Sequence, residues 1–254
     1  MPHISAIIIT HNEEQNIERC LNSLIGLVDE IVVVDSYSDD RTVEICERYG
    51  CRVSQRPFNG FGSQRQYATG LATHSYVLSI DADEMVSEDL CRAIRELKSA
   101  PKFVHRMYSA KVVNYFCGQA MKGSGWAPRY EVRLFDKRYA CWDLRDVHER
   151  LSYSDSICPN PLAGCIHHYR SNSRTEYINK EEQQSRLCGR VLAAQKNKIS
   201  ALSPWLKAMG QYLHCHLVQM ALRDGKAGNI IANGRFKYTR RSLDLARTLI
   251  KERR

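Results

Sequence analysis

The chain has 254 residues, of which 43% are hydrophobic and 26% charged, and this composition excludes disordered, collagen-like and fibrous proteins. The formal net charge of +9 is uneven, because residues 1–100 carry 9 basic and 16 acidic side chains whereas residues 223–254 carry 10 and 3. No basic start followed by an apolar run of signal-peptide length opens the sequence, and its ten cysteines include no Cys-x-x-Cys pair. We therefore expect a cytoplasmic protein with free thiols.

Short apolar strands alternate with helical stretches through the first hundred residues. Strands are predicted over 4–9, 31–34, 52–54 and 76–80, and helices over 16–27, over 42–49 and from near Ser87. This alternation is typical of an α/β fold in which helices flank a mixed, mostly parallel sheet. Asp35 and Asp81 each follow an apolar strand, at the carboxyl ends where open α/β sheets bind ligands.

Beyond residue 100 the chain becomes rich in aromatic residues. Strands are expected over 112–116, 132–135 and 147–151, and helices over 177–196, from Ser203 onward and over 238–251. The last of these helices is amphipathic and basic, a pattern that favours either an anionic membrane surface or packing on its own domain. We predict one domain over residues 1–200 and a helical extension over 201–254.

Two binding classes suggested by composition are not supported by motifs. A basic second half could meet nucleic acid, anionic lipid or a phosphorylated substrate, but no zinc-finger, RNA-binding or leucine-zipper pattern is present, so no nucleic-acid partner is expected. In His214-Cys215-His216, alternate residues of a helix diverge by about 200° and cannot close on one metal ion.

Acidic residues at two strand ends carry the chemical signal. In Asp81-Ala82-Asp83-Glu84, two carboxylates can approach one divalent cation, Mg²⁺ or Mn²⁺, which proteins often share with substrate phosphates. The alternative is a turn whose aspartates cap the helix near Ser87. Asp35 could accept hydrogen bonds from uracil or ribose, whereas Asp39 and Asp40 are interpreted as helix caps.

Three ordered motifs, over 7–13, 31–36 and 80–84, resemble the nucleotide-sugar half of the family 2 glycosyltransferases with the GT-A fold. The likeness continues through 59–65, 133–135, 147–149, 222–228 and 237–238. Over nearly the whole chain, the sequence is similar to bacterial lipopolysaccharide inner-core glucosyltransferases of the WaaE or KdtX type.

The resemblance implies an inverting, metal-dependent transfer from a nucleotide sugar, UDP-glucose, to a hydroxyl of the lipopolysaccharide inner core. It implies a lipid-linked acceptor at the cytosolic face of the inner membrane, a nucleotide-sugar half over residues 1–100 and an acceptor half over 101–200. The residues implied for the donor nucleotide are Thr10, Asn12, Glu13, Asp35, Arg65 and Asp81, and Asp83 is the implied metal ligand.

Inversion needs a base, and the resemblance points to Glu149, with Asp146 as second choice and His148 positioning the carboxylate or the acceptor. A histidine after the acceptor site would complete the metal shell, and of His167 and His168 the resemblance favours His168, which precedes a tyrosine. Arg129 and Arg133 suit an anionic acceptor, and Trp126 offers a sugar a stacking face. Each assignment has a structural alternative. Glu149 could be a surface carboxylate and His168 a structural or exposed histidine. Arg129 and Arg133 could form surface salt bridges, and Trp126 could be a packed core residue.

Two other functions compete with this hypothesis. One keeps the fold but changes the acceptor to polyprenyl phosphate, a capsule precursor or a protein. In the other, the chain is a non-catalytic basic module that binds membrane or nucleic acid, and Asp81-Ala82-Asp83 is only a turn.

Overall fold

The computed structural model describes residues 2–144, 149–195, 198–200 and 202–253. They form two compact units, the first from Met1–Val113 and Arg129–His168, the second from Asn114–Pro128 and Tyr169–Arg254. The predicted domain over residues 1–200 with a helical extension over 201–254 stays a prediction, as does the division of that domain into a nucleotide-sugar half and an acceptor half at residue 100. The ten cysteines all lie in the described ranges and are free, as expected.

The first unit begins with alternating strands and helices. Their bounds are β1 (Ile4–Thr10), α1 (Ile17–Leu24), β2 (Glu30–Asp35), α2 (Thr42–Arg48), β3 (Arg52–Gln55), α3 (Phe61–Leu71), β4 (Tyr76–Ser79), β5 (Glu84–Val86) and α4 (Glu88–Ser99). Helix α4 begins where predicted, because the Ser87 side chain accepts a hydrogen bond from the Leu90 N–H at 3.3 Å. Helix α3 was not predicted from the sequence.

The remaining elements are mainly antiparallel strands and three long helices. They are β6 (Met107–Phe116), β7 (Gln119–Ala120), β8 (Arg129–Asp136), β9 (Ala140–Trp142), β10 (Leu151–Tyr153), β11 (Asn160–Ser171), α5 (Arg174–Gln195), α6 (Ser203–Leu217), a 3-10 turn (Ala221–Asp224) and α7 (Gly225–Glu252). The predicted strand over 147–151 lies partly outside the described residues.

The main sheet has the strand order β3-β2-β1-β4-β8-β6-β11-β5. Strands β3, β2, β1 and β4 are parallel, whereas β8 joins β4 and β6 in antiparallel pairs. Strands β1 and β2 read as continuous apolar runs because helices cover both faces of a parallel sheet. The predicted mixed α/β arrangement is confirmed, and the carboxyl ends of β1, β2 and β4 lie at one edge of it.

In the second unit, α7 packs against α5 and α6. It begins at Gly225, 13 residues before the predicted start at residue 238. The prediction missed this first part because glycines interrupt the apolar pattern there. Those glycines allow close packing: a Cβ on Gly228 would lie 1.9 Å from the Ala221 carbonyl oxygen. Leu243, Ala246 and Ile250 are buried, so packing is the alternative observed for this helix. Within the described ranges, no helix is both long and apolar enough to cross a bilayer.

Candidate active site

Asp35 ends β2 directly beside Thr10, the last residue of β1. Its side chain is fully buried and accepts hydrogen bonds from the Ser38 N–H at 2.9 Å, from the Ser38 hydroxyl and from Gln55 Nε2 at 3.0 Å. Both carboxylate oxygens therefore hold the turn that follows β2. The predicted contact of Asp35 with a nucleoside stays a prediction.

The loop after β1 is tied to the loop after β2. Asn12 has a left-handed backbone with φ of 56°, and its side-chain oxygen accepts a hydrogen bond from the Asp39 N–H at 2.9 Å. The Glu13 N–H donates to the Thr42 hydroxyl at 2.8 Å. The Thr10 hydroxyl is buried and has no hydrogen-bond partner among the described residues. Hydrogen bonds thus link the two loops, and polar groups line this edge of the sheet.

Arg65 on α3 is hydrogen-bonded to both Asp81, which was predicted to contact the donor nucleotide, and Glu149, which was predicted to be the base. It donates from Nη2 to Asp81 at 2.5 Å, from Nε to Glu149 at 3.1 Å and from Nη1 to the Ser79 hydroxyl at 3.2 Å. Burial raises the pKa of Asp81, but the charges of Arg65 and Arg133 outweigh it and hold that pKa well below its ordinary value. Asp81 is therefore an anion at neutral pH.

A metal-binding geometry lies beside this ion pair. Asp81, Asp83 and His168 each offer one ligand atom, and these atoms lie within 4.8 Å of one another. His168 comes from β11, and its Nε2 is 3.2 Å from an oxygen of Asp83. Two carboxylates and an imidazole are ligands that divalent cations accept. The predicted divalent-cation site is confirmed, in that these residues lie close enough together to hold one ion. Which of them are ligands stays a prediction.

Glu84 and Arg133 form a buried pair behind the cluster. Arg133 Nη2 donates to Glu84 at 2.6 Å and lies 3.1 Å from Glu131, while Glu84 accepts from the Asp81 N–H at 2.9 Å. Burial, partly offset by Arg133, raises the pKa of Glu84. Sequence reasoning missed the role of Glu84, although it belongs to the acidic motif. Asp81 and Asp83 are not caps of α4, which Ser87 caps instead.

The remaining predicted residues do not form one cluster. Arg129 is exposed and pairs with Glu131, as in the salt-bridge alternative. Trp126 belongs to the second unit, where it packs against Phe116 and Tyr177 as a core residue. Asp146 and His148 lie outside the described residues, and their predicted roles are untested.

Comparison with known proteins gives a family. The model of "Glycosyl transferase family 2" matches residues 5–151. An uncharacterized glycosyltransferase of Rickettsia felis is 46% identical over 79% of this chain and 74% of its own length. The lipopolysaccharide core biosynthesis glycosyltransferase LpsC of Rhizobium meliloti is 30% identical over 72% of this chain and 69% of its own length.

Two solved structures share a more distant similarity. Glucosyl-3-phosphoglycerate synthase of Mycobacterium tuberculosis, in complex with Mn²⁺, UDP and glucosyl-3-phosphoglycerate, is 23% identical over 45% of this chain and 44% of that chain, with a TM-score of 0.34. Mannosyl-3-phosphoglycerate synthase of Rubrobacter xylanophilus is 20% identical over 44% of this chain and 40% of that chain, with a TM-score of 0.37. Each alignment spans less than half of the solved chain.

Proposed function

This chain belongs to glycosyl transferase family 2, and from that premise we propose that it transfers glucose from UDP-glucose to a lipopolysaccharide inner-core hydroxyl with inversion. Its fold is the GT-A α/β fold with C-terminal helices. The observation that carries the proposal is Arg65, which joins Asp81 of the metal-binding cluster to Glu149 in one set of ion pairs. A donor contact and a candidate base are thereby held by one buried cation.

The donor half of the proposal uses the edge formed by β1, β2 and β4. Thr10, Asn12, Glu13 and Asp35 would surround the nucleoside, and Asp81 would face the ribose. Asp83 and His168 would hold Mn²⁺ or Mg²⁺, which stabilises the negative charge of the departing diphosphate when it is bound. Arg65 adds a second, permanent positive charge beside the same place.

The chemistry is a single displacement at C1 of the sugar. The acceptor oxygen attacks C1 opposite the diphosphate, the bond from C1 to the phosphate oxygen breaks, and its electron pair leaves with the diphosphate. Glu149 takes the acceptor proton, and Arg65 fixes that carboxylate through its hydrogen bond at 3.1 Å. Asp146 is the second candidate for this base, and His148 would position the carboxylate or the acceptor.

The acceptor assignment rests on a relative and on charge. The name of LpsC refers to lipopolysaccharide core biosynthesis, and the inner core is an anionic sugar chain linked to lipid. We assign Arg129, whose side chain is 57% exposed, to an acceptor anion. Arg133 is buried and paired with Glu84, so we assign it a positioning role, whereas Trp126 packs in the core of the second unit and is assigned no role at the acceptor. Work on such an acceptor would place the protein in the cytoplasm, peripherally bound to the inner membrane.

Product formation from a panel of nucleotide sugars tests the proposal. The purified chain is incubated with inner-core oligosaccharide, Mn²⁺ and UDP-glucose, UDP-galactose, GDP-mannose or UDP-N-acetylglucosamine, and the anomeric configuration of the product is read by NMR. We expect an inverted glucoside from UDP-glucose, its loss in Asp83→Ala, and unchanged turnover in Asp89→Ala, since Asp89 is exposed on α4.

Two results would contradict the proposal. If no nucleotide sugar gave transfer to an inner-core acceptor, the proposed reaction would be wrong. Transfer to polyprenyl phosphate that persists in Glu149→Gln would favour the alternative acceptor, because a phosphate oxygen needs no base.

A further inference from the structure

Helix α6 leaves an apolar stripe uncovered on the second unit. Leu206, Leu213 and Leu217 are 59%, 48% and 75% exposed, and we call these three residues the α6 stripe. Three exposed apolar residues follow it in the chain: Val218, Met220 and Leu222. Exposed apolar surface of this extent on one element marks an interaction site more often than scattered single residues do.

The stripe is distinct from the face that α6 packs inside its own unit. Pro204, Ala208 and Cys215 are buried, and α6 packs against α7. At 100° per residue, the three leucines of the stripe fall within about 40° of one another and away from that buried face. The unit therefore buries one side of α6 and exposes the three leucines of the stripe on the other.

The charges around the α6 stripe indicate which kind of partner it binds. Residues 183–223 contain six Lys or Arg residues and no Asp or Glu. Lys207 on α6 and Arg223 and Lys226 just beyond it are exposed beside the apolar residues. A leucine row bordered by these cations, with Asp224, the carboxylate nearest to it in the chain, buried, matches the interface of an anionic bilayer, which offers acyl chains below negatively charged headgroups.

We propose that the α6 stripe docks this protein on the surface of an anionic lipid bilayer, with α6 lying in the plane of the headgroups. A helix of 15 residues is about 22 Å long, too short to span the hydrocarbon core, and suits this orientation. A second copy of the chain is a poorer occupant, because a twofold interface would bring the same cations of both copies together.

A groove at the end of α6 extends the same surface. It has a volume of about 560 Å³ and is lined by His216, Leu217, Met220, Leu222 and Arg223. Its apolar side chains suit an acyl chain, and its arginine suits a phosphate headgroup. The stripe and the groove thus offer one lipid both kinds of contact.

Vesicle sedimentation with the full chain tests the proposal. Vesicles of phosphatidylglycerol and phosphatidylethanolamine are compared with vesicles of phosphatidylcholine alone. The first variant, Leu206→Gln/Leu213→Gln/Leu217→Gln, keeps the net charge, and Lys207→Gln/Arg223→Gln keeps the leucines. We expect wild type to bind the anionic vesicles, and each variant to lose about tenfold or more in partition coefficient.

Matched controls separate this surface from general properties of the protein. Val104→Gln removes an apolar side chain that is 78% exposed in the first unit, and Arg48→Gln/Arg92→Gln removes two exposed cations there. Both controls should bind vesicles as wild type does. Circular dichroism should show unchanged helix content in every variant, since all the altered side chains are exposed.

Three outcomes would overturn the proposal: no binding of wild type to anionic vesicles, undiminished binding by the stripe variant, or a wild-type dimer that the stripe variant converts to a monomer. The last would assign the stripe to a second copy. Turnover of UDP-glucose with a water-soluble inner-core oligosaccharide should be equal in wild type and the stripe variant. Failure of membrane docking is thereby distinguishable from failure of the proposed reaction.

Discussion

Helices α1 and α3 both lie in the first unit, yet they bury opposite kinds of side chain. Helix α1 buries Ile17, Cys20, Leu21 and Leu24 in the main apolar cluster. The buried residues of α3 include three with polar side chains, Gln64, Arg65 and Thr69. Burying an apolar side chain stabilises the fold, whereas burying a charge destabilises it unless partners compensate.

This difference between the two buried faces distinguishes a helix that stabilises the fold from one that contributes to the candidate active site. The face of α1 is explained by the core it joins, but the face of α3 contains a guanidinium paired with Asp81 and Glu149 at the candidate active site. A hydrophobic residue of similar volume could fill the space of Arg65 without its desolvation penalty. The polar face of α3 is thus the one that the proposed reaction would use, and four predictions test that comparison.

The largest effect is expected at Glu149, the carboxylate that Arg65 of α3 holds. Glu149→Gln keeps the shape of the side chain but removes the proposed base, so kcat should fall by about 10²–10⁴-fold. Binding of UDP-glucose, measured by calorimetry, should stay near wild type. A variant with full kcat would show that α3 positions something other than the base.

The next effect is expected on α3 itself. Arg65→Met leaves Asp81 and Glu149 without their shared cation and should lower kcat/KM by about 10²–10³-fold, measured per folded molecule. Arg65→Lys should retain more activity, because it keeps the charge and loses the fork of donors. Arg48→Met on α2, where the side chain is 58% exposed, is the control and should change neither activity nor stability.

On α1 the expected effect is on stability alone. Leu21→Ala removes a fully buried side chain and should lower the free energy of unfolding by about 2–5 kcal/mol in urea denaturation. Its kcat/KM per folded molecule should equal that of wild type. Ile25→Ala, at a position that is 53% exposed at the end of the same helix, should change stability by less than about 0.5 kcal/mol.

The smallest effect concerns an ion pair beyond the end of α1. Burial raises the pKa of Asp29, but hydrogen bonds from Lys98 and from the Ile4 N–H outweigh it and lower the pKa to about 2. The stabilisation from Asp29 is therefore present above its unfolded pKa of about 4 and is lost as the pH falls towards about 2. Asp29→Asn should lower Tm at pH 7, and the difference from wild type should close over that acidic range. A difference in Tm that does not depend on pH would contradict this assignment.

Prediction from the sequence succeeded where burial is apolar. Strands β1, β2 and β4 and helix α1 follow hydrophobic periodicity, and the ordered motifs at their ends indicated a family 2 glycosyltransferase. It failed for α3, because a helix whose buried face is polar has no apolar period to detect. It also shortened α7, where glycines needed for close packing look like helix breakers.

The sequence by itself determined the alternation of elements, the family and the residue types of the site, since these depend on local pattern and on short motifs. Only the tertiary structure brought His168 of β11 to Asp83, joined Arg65 to Glu149 and separated Trp126 into a core. It also showed that α7 buries its apolar face while α6 exposes one. These outcomes depend on contacts between residues far apart in the chain, and local periodicity contains no information about which of two amphipathic helices will be covered.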